Sequence, residues 1–323
     1  MVTGLFYTEG AVGNREDLTD ILTNISPTDT PFISSIGRTV AKNTLHEWQS
    51  DTLAAAASAN GAIEGASAAE VSGNATTRLS NRCQIFQKVA SLSGTETAMN
   101  PAGRASEFAY QLEKRTKEIA RDIEFSCLAS RAQTAGDTTA GTARLLEGLG
   151  SGPAVASAAA VGWASGNVEL VGTAGGSDER EYITEGDFNN LMASIWANGG
   201  RPDAVHAGGY TKRTISAFTS NSTRFLSVAA EGGITLNNDV EYYRSDFGSI
   251  RIVLNRYANL NTPVAIETQY FKLAVLRPLQ RIELGKIGDR TAVQMITEMT
   301  LACYAPLSSG MWINVASALG ATT

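Results

Sequence analysis

Residues 103–133, GRASEFAYQLEKRTKEIARDIEFSCLASRAQ, contain no internal Gly or Pro. Within them Ala105, Phe108, Leu112, Thr116, Ile119, Ile123 and Cys127 recur at steps of three and four. That spacing predicts a helix with one apolar stripe. Glu113/Lys117 and Lys114/Glu118 add opposite charges one turn apart on the polar side. Asn100-Pro101 before the run and Gly136-Asp137 after it supply start and stop signals. Wholly helical, the segment would span about 45 Å at 1.5 Å per residue. Its stripe must therefore lie on something of comparable length. Ala105 and Thr116 are weak knobs for a coiled coil, so the expectation is a single spine helix laid against a sheet.

The rest of the composition narrows the class. The chain has 323 residues, 43% of them hydrophobic, and a formal net charge of -6. That is enough apolar matter for a large core or two domains. The 26 Lys and Arg are scattered, without the basic stripe that sequence-specific DNA binding needs. Cys83, Cys127 and Cys303 are odd in number and far apart, which predicts reduced, buried thiols. The opening MVTGLFYTEGAVGNRED has no basic region followed by an apolar core, so no secretion signal is expected. Nor is any apolar run long enough to cross a bilayer.

In chain order, Asp17, Leu18, Ile21, Leu22 and Ile25 suggest a short amphipathic helix ending at Pro27. The run SPTDTPFISSIG, with its two prolines, reads as an irregular connector anchored by Phe32, Ile33 and Ile36. Residues 42–51 suggest a strand carrying Leu45 and Trp48, which opens into an Ala/Gly/Ser-rich stretch with only Ile63 and Val71 as sizeable apolar residues. The return, TTRLSNRCQIFQKVASLSGT, is strand-like, with Phe86 and Lys88 alternating against Ile85 and Val89. Together these make a long, projecting hairpin, a ribbon that is marginal by itself.

A second small-residue run over 149–181 reads as a crossover. Thr184 and Asp187 form an approximate capping box before a helix with Phe188, Leu191, Met192, Ile195 and Trp196 on its apolar side, ended by Gly199-Gly200. PDAVHA (202–207) predicts a buried strand, and residues 211–219 a helix after Gly208-Gly209. Residues 240–257 predict a hairpin with Ile250, Ile252 and Leu254 on one face. More strand is expected at 263–266 and 271–276, with Pro278 interrupting. Residues 290–304 predict a long strand whose face carries Val293, Met295, Thr297, Met299, Leu301 and Cys303, the expected seat of the spine helix.

Chemistry is thin. His206 sits among small apolar residues and reads as a packed strand residue. His46 and Glu47 are adjacent on a strand and so face opposite sides. Motifs of the HExxH, GxSxG and CxxC types are absent, and strand-GG-helix at 204–219 lacks any phosphate-binding fingerprint. Asp29, Glu64, Glu70, Asp178, Glu179 and Glu181 lie in expected loops, where solvation accounts for them. No catalytic, cofactor-binding or metal residue is assigned, no cofactor is expected, and the chain does not read as an enzyme.

The order arm, hairpin, spine helix, second domain and returning strand resembles a tailed-bacteriophage major capsid protein, of the Hong Kong 97-like fold shared with the capsid floor of herpesviruses. The segments that carry the resemblance include NREDLTDILTNISPTDTPFISSIGR (14–38), QLEKRTKEIARDIEF (111–125) and GGYTKRTISAF (208–218). It continues through YYRSDFGSIRIVLNR (242–256), YFKLAVLRPLQRIELGKIGDR (270–290) and EMTLACYAP (298–306). The resemblance implies an α+β chain with an N-terminal arm at 1–44, an extension-loop hairpin at 45–92 and an α/β axial domain at 182–269. A peripheral domain would combine 93–148, with the spine helix, and 270–323, with 149–181 crossing between the two.

It further implies a structural subunit that self-assembles into pentamers and hexamers of an icosahedral capsid around double-stranded DNA. Portal, scaffolding and decoration proteins are the implied partners, DNA contact is non-specific, and no membrane is involved. The implied location is the virion capsid, assembled in the host cytoplasm. Some members crosslink subunits through a lysine in the extension loop, but residues 51–79 contain no lysine and Lys88 lies at the hairpin base. A fused helical scaffold is likewise not expected with only 44 residues before the hairpin. An encapsulin-like compartment shell, or a phage tail or adhesin protein, are the alternative readings.

Overall fold

The computed structural model describes residues 28–51, 53, 56–61, 63–65, 67, 76–99, 106–149, 167–171, 181–218, 227–228, 234–235, 241–286 and 288–316. The amphipathic stretch expected at 17–25, Trp163, Val71 and most of the 177–181 acidic run lie outside the described residues.

The first half contains α1 (Pro31–Ser35), β1 (Gly37–Val40), β2 (Leu45–Ser50), β3 (Thr77–Arg82), β4 (Gln84–Ser93), α2 (Gly94–Ala98) and α3 (Glu107–Leu128). The second half contains β5 (Val168–Leu170), α4 (Glu185–Ala197), β6 (Ala204–Ala207), α5 (Gly209–Ser216), β7 (Ser227–Val228) and β8 (Ile234–Thr235). It continues with β9 (Tyr242–Ser245), β10 (Gly248–Leu254), β11 (Val264–Ile266), β12 (Phe271–Leu284), β13 (Arg290–Cys303) and β14 (Gly310–Ile313). The α+β class is as expected.

Two sheets organise these elements. A four-stranded sheet runs β1-β12-β13-β4 and a six-stranded sheet runs β5-β14-β11-β6-β10-β9, while β2-β3 and β7-β8 form separate two-stranded ribbons. The spine helix α3 lies on the first sheet. Ile119, Ile123 and Cys127 share a buried cluster with Phe86, Leu273, Met295, Met299 and Leu301, so the stripe and the long strand meet as their periodicities required. Ser106 caps the helix by accepting from the Ala109 N–H. The helix has 22 residues, about 33 Å, and ends before 133. Past Leu128 the chain is extended, and the returning segment takes over the pairing, with the Leu149 N–H donating to the Cys127 carbonyl at 2.8 Å.

In the second body α4 and α5 cover one face of the six-stranded sheet. Thr184 and Asp187 form a reciprocal capping box at the start of α4. Phe188, Leu191, Met192 and Ile195 pack on Val205, Ile250, Ile252 and Trp312. Phe188 stacks on Trp312 with centroids 5.1 Å apart, and the indole N–H donates to the Asp187 carbonyl at 3.2 Å. The helix stops at Asn198, and Gly199, at φ 84°, takes the left-handed turn. The opposite face of this sheet presents Ala204, Val264, Ile266 and Met311 to the same cluster that holds Phe32, Phe271 and Cys303. One core thus joins both sheets.

Several sequence expectations are corrected. Within the proline-rich run the second proline opens a helix in place of a connector: Pro31 occupies the first turn of α1, where a missing N–H is harmless. In β4 the inward residues are Phe86, Ala90 and Leu92, while Ile85 and Val89 are exposed. β4 also leaves the hairpin to pair with β13, from Arg290↔Ser93 to Met299↔Gln84. The strand that returns beside β2 is β3, paired from Leu45↔Arg82 to Ser50↔Thr77.

Pro278 does not interrupt β12, because register shifts near Arg277 absorb it and β1 pairs only as far as Val275. Trp196 is 63% exposed against Phe247 rather than in the core. Leu254 is also exposed, since β10 ends there and the chain turns to bury Asn255. Two further strands fall in unexpected places. β5 arises within the run read as a crossover, and β14 joins the six-stranded sheet rather than the four-stranded one.

Candidate functional site

A junction of three polar anchors holds arm, hairpin and spine together, and the β2–β3 ribbon extends from it. Glu124 is the first anchor. It lies at the C-terminal end of the apolar stripe and is fully buried. Its carboxylate accepts from the Phe32 and Ile33 N–H groups, both at 2.8 Å, and from the Asn255 side-chain amide at 2.6 Å. Those two N–H groups belong to the first turn of α1, so the spine helix caps the arm helix and grips the second body through one side chain. Burial pushes the Glu124 carboxyl above its ordinary range, opposed by the three hydrogen bonds.

Glu298 is the second anchor. It is almost fully buried in β13 and is paired with Arg144 from the loop after the helix and with Arg277 Nε of β12 at 2.8 Å. Breaking either pair would leave a buried charge short of partners. The third anchor is the hairpin base. Trp48 Nε1 donates to the Cys303 carbonyl at 2.7 Å, and the buried Asn81 amide donates to the Leu301 and Glu147 carbonyls at 2.8 and 3.2 Å. Lys88 is engaged as well, with its ammonium 2.9 Å from Asp122 of the spine.

Beyond this base the ribbon has little to rest on. β2 and β3 pair from Leu45↔Arg82 to Ser50↔Thr77. Further out, Leu53 and Ile63 are 98% and 82% exposed. A two-stranded ribbon with bare apolar residues at its far end calls for a neighbouring surface.

The histidines and cysteines make no reactive group. His46 lies beside Trp48 on the ribbon, and burial lowers its pKa. His206 is buried in β6, edge-on to Phe32 at 5.4 Å, and burial pushes its pKa down to about 4. The three thiols are buried and unoxidised; burial raises Cys83 to about 11 and Cys303 to about 12, and raises Cys127 further. Among the described residues no group of three His, Cys, Asp or Glu could hold a metal, and no helix is long and apolar enough to span a membrane. Sequence reasoning attached no role to Glu124, Asn81 or Glu298. The one available signal was an acidic residue directly after Ile123 in the stripe.

Comparison with known proteins decides what this junction serves. The family described as SU10 major capsid protein matches residues 4–316. The chain belongs to that family. A major capsid protein of Escherichia phage Phieco32 is 25% identical over 347 residues, covering 98% of this chain and 99% of that one. Among solved structures, the capsid of a native GTA particle computed with C5 symmetry superposes with a TM-score of 0.66 at 12% identity, covering 96% and 98% of the two chains. The chain from Microbacterium phage Oxtober96 gives 0.61 at 12% identity, covering 93% and 96%. The fold is that of tailed-phage major capsid proteins, and the chain is a self-assembling structural subunit of an icosahedral capsid, located in the virion, and not an enzyme.

Proposed function

We propose that this subunit forms rings of five and six that close into a shell around double-stranded DNA. In this reading 1–44 is the arm, 45–92 carries the extension loop, and 182–269 is the axial domain. Segments 93–148 and 270–323 build the peripheral domain, with 149–181 crossing between. The observation that carries the reading is the ribbon. Trp48 and Asn81 fix its base, yet its far residues Leu53 and Ile63 have no cover within the subunit. A segment built this way gains its packing from the next subunit, and repeated head-to-tail contacts of that kind close into rings.

The net charge of -6 suits a wall that does not grip its DNA. Residues 51–79 lack lysine and Lys88 is ion-paired, so neighbouring subunits are held by noncovalent contacts. A portal protein at one vertex, scaffolding and decoration proteins, and assembly in the host cytoplasm complete the proposal. The test is nuclease protection in purified particles. Genome-length DNA surviving nuclease outside the shell supports it; particles free of DNA but carrying a stoichiometric protein cargo would make the chain a compartment shell.

A further inference from the structure

The short helix α1 sits where the two sheets meet. Its buried Phe32 ring is edge-on to His206 of β6 at 5.4 Å and to Phe271 of β12 at 6.3 Å, one strand from each sheet. Directly after α1, β1 pairs with β12 from Gly37↔Lys272 to Val40↔Val275. The other end of α1 has no such anchor nearby in sequence, since the Thr30 side chain does not cap it. Five residues are too few to hold a helix alone. The first turn therefore depends on Glu124, which takes the Phe32 and Ile33 N–H groups.

The same carboxylate has its third donor in the second body. β6 and β10 run parallel and end at the pair Leu254↔Ala207. Asn255 follows, and its backbone N–H donates to the Ala207 carbonyl at 3.0 Å. Its side-chain oxygen accepts from the Tyr257 N–H at 2.8 Å, which aims the amide at Glu124. Donors from two bodies thus share the cost of burying one carboxylate, and a buried carboxylate that keeps only part of its donors is costly.

We propose that α1 is a latch: docked on Glu124 it locks the β6–β10 end of the second body to the spine helix, and undocked it releases that end as well. Each set of donors supports the other through the one carboxylate, while Phe32 fills the seam between β6 and β12. An arm drawn away by a neighbouring subunit loosens the joint between the two sheets without unfolding either. The helix α4 stands outside this coupling, because it packs on the opposite face of the six-stranded sheet.

Amide exchange in full-length subunits dissociated from particles tests the latch. Phe32→Ala should speed exchange in 252–255 about tenfold and leave α4 at the parent rate. Coupling is reciprocal, so Asn255→Ala should speed exchange of the Phe32 and Ile33 amides by about the same factor. Parent subunits brought to the same overall stability with dilute urea should not show this pattern. Faster exchange confined to 30–40 in Phe32→Ala, or an equal rise in every segment, overturns the proposal. So does an unchanged rate at Phe32 and Ile33 in Asn255→Ala, and that measurement decides alone if Phe32→Ala fails to fold.

Discussion

Replacing Ile119 by alanine tests the packing on which the subunit rests. Ile119 and Ile123 are 3% and 7% exposed and sit one turn apart over Met295, Met299 and Leu301. Each substitution removes three buried carbons, a transfer loss of about 2.4 kcal/mol at 0.8 kcal/mol per methylene. A cavity term adds to this, but both residues border a groove beside α1, where walls can relax inward. The expected loss is therefore about 2–4 kcal/mol for each variant, toward the lower half of the range for isoleucine truncation. Because the two side chains share one groove, the double variant should depart from the sum of the singles.

Lys117→Ala is the control. Its ion pair with Glu113 is exposed on both sides, and its loss should change stability by less than about 0.5 kcal/mol. Urea unfolding of dissociated subunits, followed by tryptophan fluorescence, measures all of these. If Ile119→Ala and Ile123→Ala unfold at the parent midpoint with the parent slope, the stripe is not a core face and the spine-on-sheet reasoning fails.

Glu124→Ala leaves the Phe32 and Ile33 N–H groups and the Asn255 amide without their acceptor. It should cost about 1–3 kcal/mol for each donor that water does not rescue, read as a lowered urea midpoint. Trp48→Phe, which deletes the bond to the Cys303 carbonyl, should cost about 1 kcal/mol and loosen the ribbon base, seen as faster amide exchange in 45–50.

His206 has a folded pKa of about 4 against 6.5, so the unfolded chain binds the extra proton between those values. Its contribution is complete above pH 6.5 and is lost as pH falls toward 4, roughly 3 kcal/mol in all. Urea midpoints of parent and His206→Asn should converge over that window, and parallel profiles would contradict the assignment. Mature particles, boiled with reductant, should give one band near 34.0 kDa, and a ladder of multimers would contradict noncovalent closure.

What could be read in the sequence was whatever obeys a local period. The Ile119, Ile123, Cys127 stripe and the alternation of Met295, Met299 and Leu301 announced the two faces that meet, and Thr184 with Asp187 marked the start of α4. His206 among small residues was legible as packing for the same reason. Features set by distant partners were not legible. Glu124 has its partners more than ninety positions away in the arm and more than a hundred positions away at Asn255, and without it the α1 segment looks like a connector. β4 alternates either way, and only its pairing with β13 shows that Phe86 faces the spine and Ile85 does not. Pro278 reads as a breaker until a bulge beside a short neighbouring strand makes room for it.

Cryo-electron microscopy of particles containing this chain addresses assembly most directly. The expected map shows a closed icosahedral shell of five- and six-membered rings, in which each ribbon 45–82 lies over an adjacent subunit and covers Leu53 and Ile63. Open tubes, or a closed shell whose ribbons touch only their own subunit, would contradict it.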